Sequence, residues 1–521
     1  MAPAKLAADL RISLTFVTTT VLSLLAGGLG TLSLAPYDVW PAGIVSLVLL
    51  LRLLAACSTR QAFWRGWLFG VGLFGSGTSW VYVSIHDHGH ASVPLAAFLT
   101  AVFCLLLALL QGGFAALWVR LLRPVVGGTL VGFTALWVLF EWLRSWLLTG
   151  FPWLYLGYAQ LDSWAAGWAP IFGVYGLSAL VALTASCLVL AWRRRSRPVS
   201  LLYGVLLLTL WGGGFYLTTI EWVTPKTKTP LTVAMVQPDI PLAVKWDRNA
   251  YQAILNRYQQ AIDDITDADL IIWPESALPR LYQHARGFLD PIAAKLERDN
   301  RALITGIPWK NQADNKYHNS IIALGQGSGV YHKQRLVPFG EYVPLESQLR
   351  GLIEFFDLPM SNFSRGPANQ NTLSALSFQI GPYICYEIVY PDLVAKSAAK
   401  SDLLVTISND SWFGSSIGPL QHLQMAQMRA LENGRYLIRG TNTGVTAIIN
   451  PKGKITVRAP QFSNTILLGQ VTPMRGNTPF SAFGSLPVIA GCFLCLAIVF
   501  LRPLAIGRSS ALTTRTNAPH T

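Results

Sequence analysis

Between residues 1 and 220, apolar stretches of about 20 residues recur with only short polar breaks, and this feature constrains the fold more than any other. A hydrocarbon layer about 30 Å thick takes on the order of 20 helical residues to cross. Inside it every backbone N–H and C=O must find a partner within the segment, which favours helices. The stretches lie near 12–29, 34–56, 62–85, 92–121, 126–148, 164–192 and 199–219, with another near 484–503. They predict an α-helical membrane bundle of about eight transmembrane helices. The first stretch reads as a mature helix, since no A-x-A-like cleavage site clearly ends it and further spans follow at once.

Between 230 and 475 the pattern changes. Short β-rich runs such as Leu231–Val236, Leu270–Trp273, Ala302–Ile307 and Leu403–Ser408 alternate with polar helical stretches such as 249–265 and 419–436. The chain therefore divides into a transmembrane bundle over 1–222, an α/β domain over 230–475, a closing transmembrane helix over 484–503 and a polar cytoplasmic tail over 507–521.

The formal net charge of +14 raises the question of nucleic acid, but the basic residues gather at the ends of apolar stretches and form no single polar face. Bilayer orientation explains them better. Lys5 and Arg11 precede the first span, Arg60 and Arg65 flank the second loop, Arg120 and Arg123 the fourth, and Arg193, Arg194, Arg195 and Arg197 the sixth. The loops around 30, 86–91 and 149–163 hold no Lys or Arg. Since cytoplasmic loops carry the basic excess, both termini face the cytoplasm and the α/β domain faces the other side. In a bacterium that is the periplasmic face of the inner membrane. Five of the six cysteines lie in or beside apolar stretches, which argues against a disulfide framework or a zinc site.

Three stretches of the α/β domain each place a reactive side chain at or just after a strand-like run. They are Ile271-Ile272-Trp273-Pro274-Glu275-Ser276, Tyr331-His332-Lys333-Gln334-Arg335 and Gly381-Pro382-Tyr383-Ile384-Cys385-Tyr386-Glu387. Taken singly, Glu275 reads as a solvated carboxylate after a strand, Lys333 as a surface lysine and Cys385 as a small buried core residue. Together, with a free thiol kept in an oxidising compartment, they read as a reactive set.

In this order and setting the three stretches resemble the nitrilase superfamily, and most closely its membrane-bound apolipoprotein N-acyltransferase branch. Matching stretches are Val236-Gln237-Pro238 with Trp246 downstream, Val337-Pro338-Phe339-Gly340-Glu341, Ser408-Asn409-Asp410-Ser411-Trp412-Phe413-Gly414 and Thr441-Asn442-Thr443-Gly444-Val445. The resemblance implies a nitrilase-type αββα sandwich in which Glu275, Lys333 and Cys385 form the catalytic triad. It also implies that Glu341 supports the lysine, that Glu387 and Tyr386 shape the site beside the nucleophile, and that Trp246 lies near substrate. Ordinary packing remains the alternative for Tyr386 and Trp246.

A free thiol has a pKa of about 8.5, so attack on an ester at neutral pH needs an ammonium that favours the thiolate or a carboxylate that takes the proton. Glu275 suits the second task, and Lys333 suits holding the oxyanion of the tetrahedral intermediate. By resemblance, the acyl donor is a glycerophospholipid, typically phosphatidylethanolamine. The acceptor is the α-amino group of a diacylglyceryl-modified N-terminal cysteine in an apolipoprotein. The chemistry calls for no metal or organic cofactor. Two rivals stand: a membrane-anchored amidase that passes the acyl group to water, and a transporter or lipid-binding protein with an inactive domain. The apolar segment 345–366 reads as a lid or membrane foot, or as core. His86, His88 and His90 read as a polar loop rather than metal ligands. Glu141 and Arg144, one turn apart, read as a mutual pair, a lipid-headgroup contact or snorkelling side chains.

Overall fold

The computed structural model describes residues 2–194, 197–343 and 362–513. Its N-terminal part is a bundle of α1 (Ala2–Leu32), α2 (Pro41–Leu53), α3 (Thr59–Gly77), α4 (Val93–Leu117), α5 (Phe133–Arg144), α6 (Ala169–Arg194) and α7 (Arg197–Leu217). Among the described residues, Val93–Leu122, Trp164–Arg193 and Arg197–Leu217 are long and apolar enough to cross a membrane. A fourth candidate, Thr59–Gly77 with Val81–His88, is bent by 60° at its break, and Val17–Leu32, Pro41–Leu53 and Leu486–Leu501 are shorter apolar helices. Leu201, Leu208 and Phe215 of α7 are exposed, as side chains facing hydrocarbon would be.

The helices start and stop for local reasons. The stretch near 34–56 becomes helical only at Pro41, at a helix N-terminus where the missing N–H costs nothing. Ser58 and Gln61 form a capping box that opens α3. The stretch near 62–85 does not run as one rod, because Thr78 leaves helical geometry (φ −127°) and turns its hydroxyl back to Phe74 O at 2.8 Å. The carbonyls at the end of α2 accept from Arg65 (Leu53 O, 2.6 Å) and Arg123 (the C-cap Leu54 O, 3.1 Å), so two basic-loop residues also cap a helix. Glu141 and Arg144 are buried, which overturns the snorkelling alternative. Glu141 accepts from Trp137 Nε1 and Leu156 N, while Arg144 lies against the rings of Phe74 and Tyr155.

The α/β part is a sandwich of two sheets. One orders its strands β13-β1-β2-β3-β4-β6, where β1 is Leu231–Gln237, β2 Leu270–Ile272, β3 Ala302–Lys310, β4 Tyr317–Gly325, β6 Val330–His332 and β13 Thr465–Val471. The other orders them β12-β11-β10-β9-β8-β7-β5, where β5 is Gly327–Ser328, β7 Leu373–Ala375, β8 Phe378–Ile384, β9 Leu403–Ser408, β10 Leu437–Thr441, β11 Ala447–Ile449 and β12 Ile455–Arg458. The centre of each sheet is parallel: β1 with β2 and β3, and β8 with β9 and β10. Residues 224–225 and 474–475 pair separately beside the bundle-side ends of the domain.

Alternation along the strands assigns the layers. In β1, Val233 and Met235 pack between the sheets with Ile272, Val405 and Ile438. Ala234 and Val236 face α8 (Tyr251–Asp264) and α9 (Tyr282–Arg298) through Tyr258 and Leu289. On the far side, α10 (Pro391–Ala398) and α11 (Gly418–Asn433) cover the second sheet, giving helix, sheet, sheet, helix. The core under α10 and α11 does not close on itself: Val394, Leu423 and Met428 share one continuous apolar cluster with Trp153, Tyr158 and Leu161 of the bundle. At this junction α6 breaks at Gly173 (φ +62°), a backbone state that favours glycine, and the freed N–H of Val174 donates to Glu432 of α11 at 2.7 Å. The closing helix α12 (Leu486–Thr513) continues through the start of the stretch read as a polar tail.

Candidate active site

Glu275 follows β2, Lys333 follows β6 directly and Cys385 follows β8 directly. Glu275 Oε1 accepts from Asn319 Nδ2 at 2.7 Å and Oε2 from the Asn409 backbone N–H at 2.8 Å. Lys333 Nζ lies 2.9 and 2.8 Å from the two oxygens of Glu341 and 3.5 Å from Glu275 Oε1. Glu341 is fixed in turn by the Val337 N–H (2.8 Å) and by Asn319 Nδ2 (2.9 Å), so one amide holds both carboxylates. Strand β3 passes this cluster closely: a Cβ on Gly306 would stand 2.7 Å from Glu275 Cα, so no larger residue fits there without displacing the acid.

Lys333 is 1% exposed and Glu275 and Glu341 are 6% exposed, so three charges share a nearly dry pocket. Burial alone would lower the Lys333 pKa, but the carboxylates of Glu341 and Glu275 outweigh it and hold the ammonium above the ordinary lysine range. The Cys385 thiol is shifted the other way: burial of the sulfur and the Glu275 carboxylate raise it, and Lys333 offsets only part of the rise. Cys385 therefore rests as a neutral thiol beside an ammonium. Of the two routes open to a nucleophilic thiol, this favours proton removal at the moment of attack over a standing thiolate.

Cys385 occupies a left-handed backbone conformation (φ +51°), uncommon for a residue with a Cβ. Glu387, fully buried, holds that turn. Its Oε1 accepts from Tyr331 OH (2.9 Å), Gln334 N (2.6 Å) and Arg335 N (3.2 Å), and its Oε2 from Ile384 N (2.9 Å). Glu387 thus ties the turn bearing Cys385 to the segment bearing Lys333. Burial pushes its carboxyl up to about 7 despite these donors.

The opposite wall of the turn belongs to the bundle. Tyr386 OH donates to Gly150 O at 2.8 Å and Tyr390 OH to Thr149 O at 3.2 Å. The Trp153 ring stacks on Tyr386 (centroids 6.4 Å, 15°) and lies 5.9 Å from the His422 ring. Trp80 and Trp153 both donate to Gln421 Oε1, at 3.2 and 2.7 Å, and Gln421 donates to Gly77 O at 3.1 Å.

Trp246 stands apart from this cluster. It lines a cavity of about 320 Å³ with Arg280, Pro308, Tyr317 and Phe363. That cavity continues the same sheet face outward, since Pro308 pairs with Asn319 across β3 and β4. Most of the segment 345–366 lies outside the described residues, although Asn362 and Phe363 at its end wall the cavity. In the histidine loop, His86 Nδ1 bonds Ala91 O and His88 rests on the Trp412 ring. Sequence reasoning missed four contributors. Asn319 sits among the polar residues that open β4, Lys245 Nζ donates to Glu275 O at 2.9 Å from within a short helical turn, and Gln421 and His422 look like the polar face of a helix. Only Lys245 carried a usable signal, as the neighbour of Trp246.

Residues 26–187 match the family model for the apolipoprotein N-acyltransferase N-terminal domain, and residues 232–478 that for carbon-nitrogen hydrolases. An apolipoprotein N-acyltransferase of Pseudomonas aeruginosa is 50% identical over 489 residues, 92% of this chain and 95% of that relative. One from Coxiella burnetii is 40% identical over 485 residues, 92% of this chain and 100% of its own length. The chain belongs to the apolipoprotein N-acyltransferase family. Among solved structures, a Saccharomyces cerevisiae member of branch 10 of the nitrilase superfamily aligns with 49% of this chain and 93% of its own, at 19% identity and a TM-score of 0.37. As in the family models, a membrane protein's apolar helices here adjoin a carbon-nitrogen hydrolase domain.

Proposed function

We propose that this membrane enzyme moves a fatty acyl chain from a glycerophospholipid onto Cys385 and from there onto the free α-amino group of a diacylglyceryl-cysteine at an apolipoprotein N-terminus. The observation that carries this reading is the combination of a buried Glu275–Lys333–Glu341 cluster with Cys385, a half-buried residue whose turn rests on the bundle.

Glu275 takes the Cys385 proton as sulfur attacks the ester carbonyl. Lys333 stabilises the oxyanion, with Glu341 fixing the ammonium. When the C–O bond breaks, Glu275 returns the proton to the leaving oxygen and lysophospholipid departs. The acceptor amine then attacks the thioester, Glu275 accepts the amine proton, and the C–S bond breaks to leave an amide and, after proton return, the thiol. Trp246 borders the cavity through which one substrate approaches. By the family resemblance the donor is typically phosphatidylethanolamine.

On this reading about eight helices cross the bacterial inner membrane, with both termini cytoplasmic and the catalytic domain over 230–475 periplasmic. Arg65 and Arg123, which meet at the end of α2, mark the cytoplasmic side, and the two substrates that live in the membrane reach the site from the other. Incubation with a phospholipid labelled in its acyl chain and a diacylglyceryl lipopeptide tests the reaction. Equal amounts of N-acylated lipopeptide and lysophospholipid are expected; label appearing only as free fatty acid, whatever the acceptor, would sink the transferase reading and favour the amidase-like rival.

A further inference from the structure

Directly behind the nucleophile lies a buried polar group that the reaction above does not use. Asp410, His422 and Arg439 are each 1% exposed or less. Arg439 Nη2 donates to Asp410 Oδ2 at 2.6 Å and lies 3.1 Å from His422 Nδ1, while Ser408 Oγ donates to Asp410 Oδ1 at 2.6 Å. The other imidazole nitrogen, His422 Nε2, is 3.2 Å from the backbone carbonyl of Cys385.

The charges settle the imidazole's form. A carbonyl only accepts, so Nε2 carries the proton and points it at Cys385 O, while Nδ1 lies between the Arg439 donor at 3.1 Å and Asp410 Oδ1 at 3.3 Å. Burial and the Arg439 cation also keep the ring neutral, against the smaller pull of Asp410. The Asp410 carboxylate is held ionised: the Arg439 cation, with the Ser408 hydroxyl, overcomes the burial that would protonate it. A left-handed residue such as Cys385 stays in place only where its surroundings determine its peptide on both sides. Glu387 holds the N–H side of this turn through Ile384, and His422 holds the carbonyl side.

The same helical turn reaches the bundle. Gln421, one residue before His422, accepts from Trp80 and Trp153 and donates to Gly77 O, and the Trp153 ring lies against the imidazole itself. The bundle thus grips α11 at the residue adjoining the one that grips the nucleophile's peptide.

We infer that His422, oriented by Asp410 and Arg439 and backed by Trp153 of the bundle, is a positioning residue that sets the attack geometry of Cys385. The inference rests on Cys385 being the acyl carrier. Positioning of this kind acts on the chemical step and leaves substrate affinity alone. A displacement of about 1 Å at a nucleophile is worth on the order of 10²-fold in rate.

The test measures the rate of acyl-adduct formation on the detergent-purified full chain by intact mass, across phospholipid concentrations, with thermal unfolding recorded in parallel. His422→Met keeps the volume and removes the donor; His422→Gln keeps an N–H able to reach the carbonyl. The expected result is an adduct on Cys385 in every form, with kcat for acylation about 10²-fold lower in His422→Met, KM unchanged and most of the rate regained in His422→Gln. Trp153→Leu, which removes the ring behind the imidazole, lowers kcat in the same sense and stands in if His422→Met does not fold. Unchanged acylation in His422→Met, or in Trp153→Leu in its place, overturns the inference. So does a loss in His422→Met that His422→Gln shares equally and that follows the unfolding temperature. If the unaltered protein itself forms no adduct, the carrier role of Cys385 fails instead, which separates the two claims.

Discussion

The two walls around Cys385 are built from opposite materials. On the sheet side stand Glu275, Lys333 and Glu341, three charges sealed from water and held by Asn319 and backbone N–H groups. On the bundle side stand Trp80, Trp153, Tyr386 and Phe413, with Trp80 edge to face on Phe413, Trp153 stacked on Tyr386 and the amide of Gln421 shared by two indoles. The charged wall is suited to moving a proton and stabilising an oxyanion. The aromatic wall moves no proton; it makes the membrane bundle part of the nucleophile's support. A soluble sandwich needs only the first wall, whereas an enzyme that draws both substrates from a bilayer gains from having its nucleophile seated on the element that contacts lipid.

If the walls divide the labour in this way, substitutions on the charged wall should stop chemistry while those on the aromatic wall should only slow it. The largest effect is expected for Glu275→Gln, which keeps the shape and removes the base: acyl-adduct formation falls by about 10²- to 10⁴-fold, measured as the rate of mass gain with phospholipid. Lys333→Met follows, with a loss of about 10²- to 10³-fold in the same assay, and it also lowers thermal stability because Glu275 and Glu341 are left facing each other without a cation.

On the aromatic wall, Gln421→Leu removes the acceptor shared by Trp80 and Trp153 and leaves every charged residue in place. A fall of about tenfold in acylation is expected, with KM unchanged, as a small shift of the turn would give. A loss as deep as that of Glu275→Gln would break the proposed division. The smallest effect concerns Lys245, whose ammonium burial lowers to about 8 although Glu275 pulls it upward. The folded protein therefore releases this proton before the unfolded chain does. Its contribution makes stability rise as pH increases from about 8 into the ordinary lysine range, because the unfolded state binds more protons there. Melting curves over that window should show a shallower rise for Lys245→Met than for the unaltered protein.

The charged wall was legible in the sequence and the aromatic wall was not, for physical reasons. Glu275, Lys333 and Cys385 each end a strand-like run within a motif, so their positions announce themselves along the chain. Asn319 has no such signal: it lies near the start of β4 between His318 and Ser320, and only the pairing with β3 puts its amide between two carboxylates. The segment 149–163 read as a short outward loop because it holds no Lys or Arg. That absence carries no sign that Trp153, Tyr155 and Tyr158 are buried in the apolar cluster shared by bundle and sandwich. Likewise the stretch near 62–85 scored as one apolar run, and hydropathy carries no information about the 60° bend that brings Trp80 under α11. Long-range seating of one unit on another leaves no periodic mark in either.

The account turns on Cys385 as the carrier of the acyl group. The most direct measurement is the intact mass of the purified chain after exposure to a single defined phospholipid, beside a Cys385→Ala form, followed by addition of a diacylglyceryl lipopeptide. One acyl increment on the unaltered protein, absent from the variant and discharged by the lipopeptide, is the result predicted. An increment that persists in Cys385→Ala, or none on the unaltered chain under conditions where lipopeptide is acylated, would contradict it.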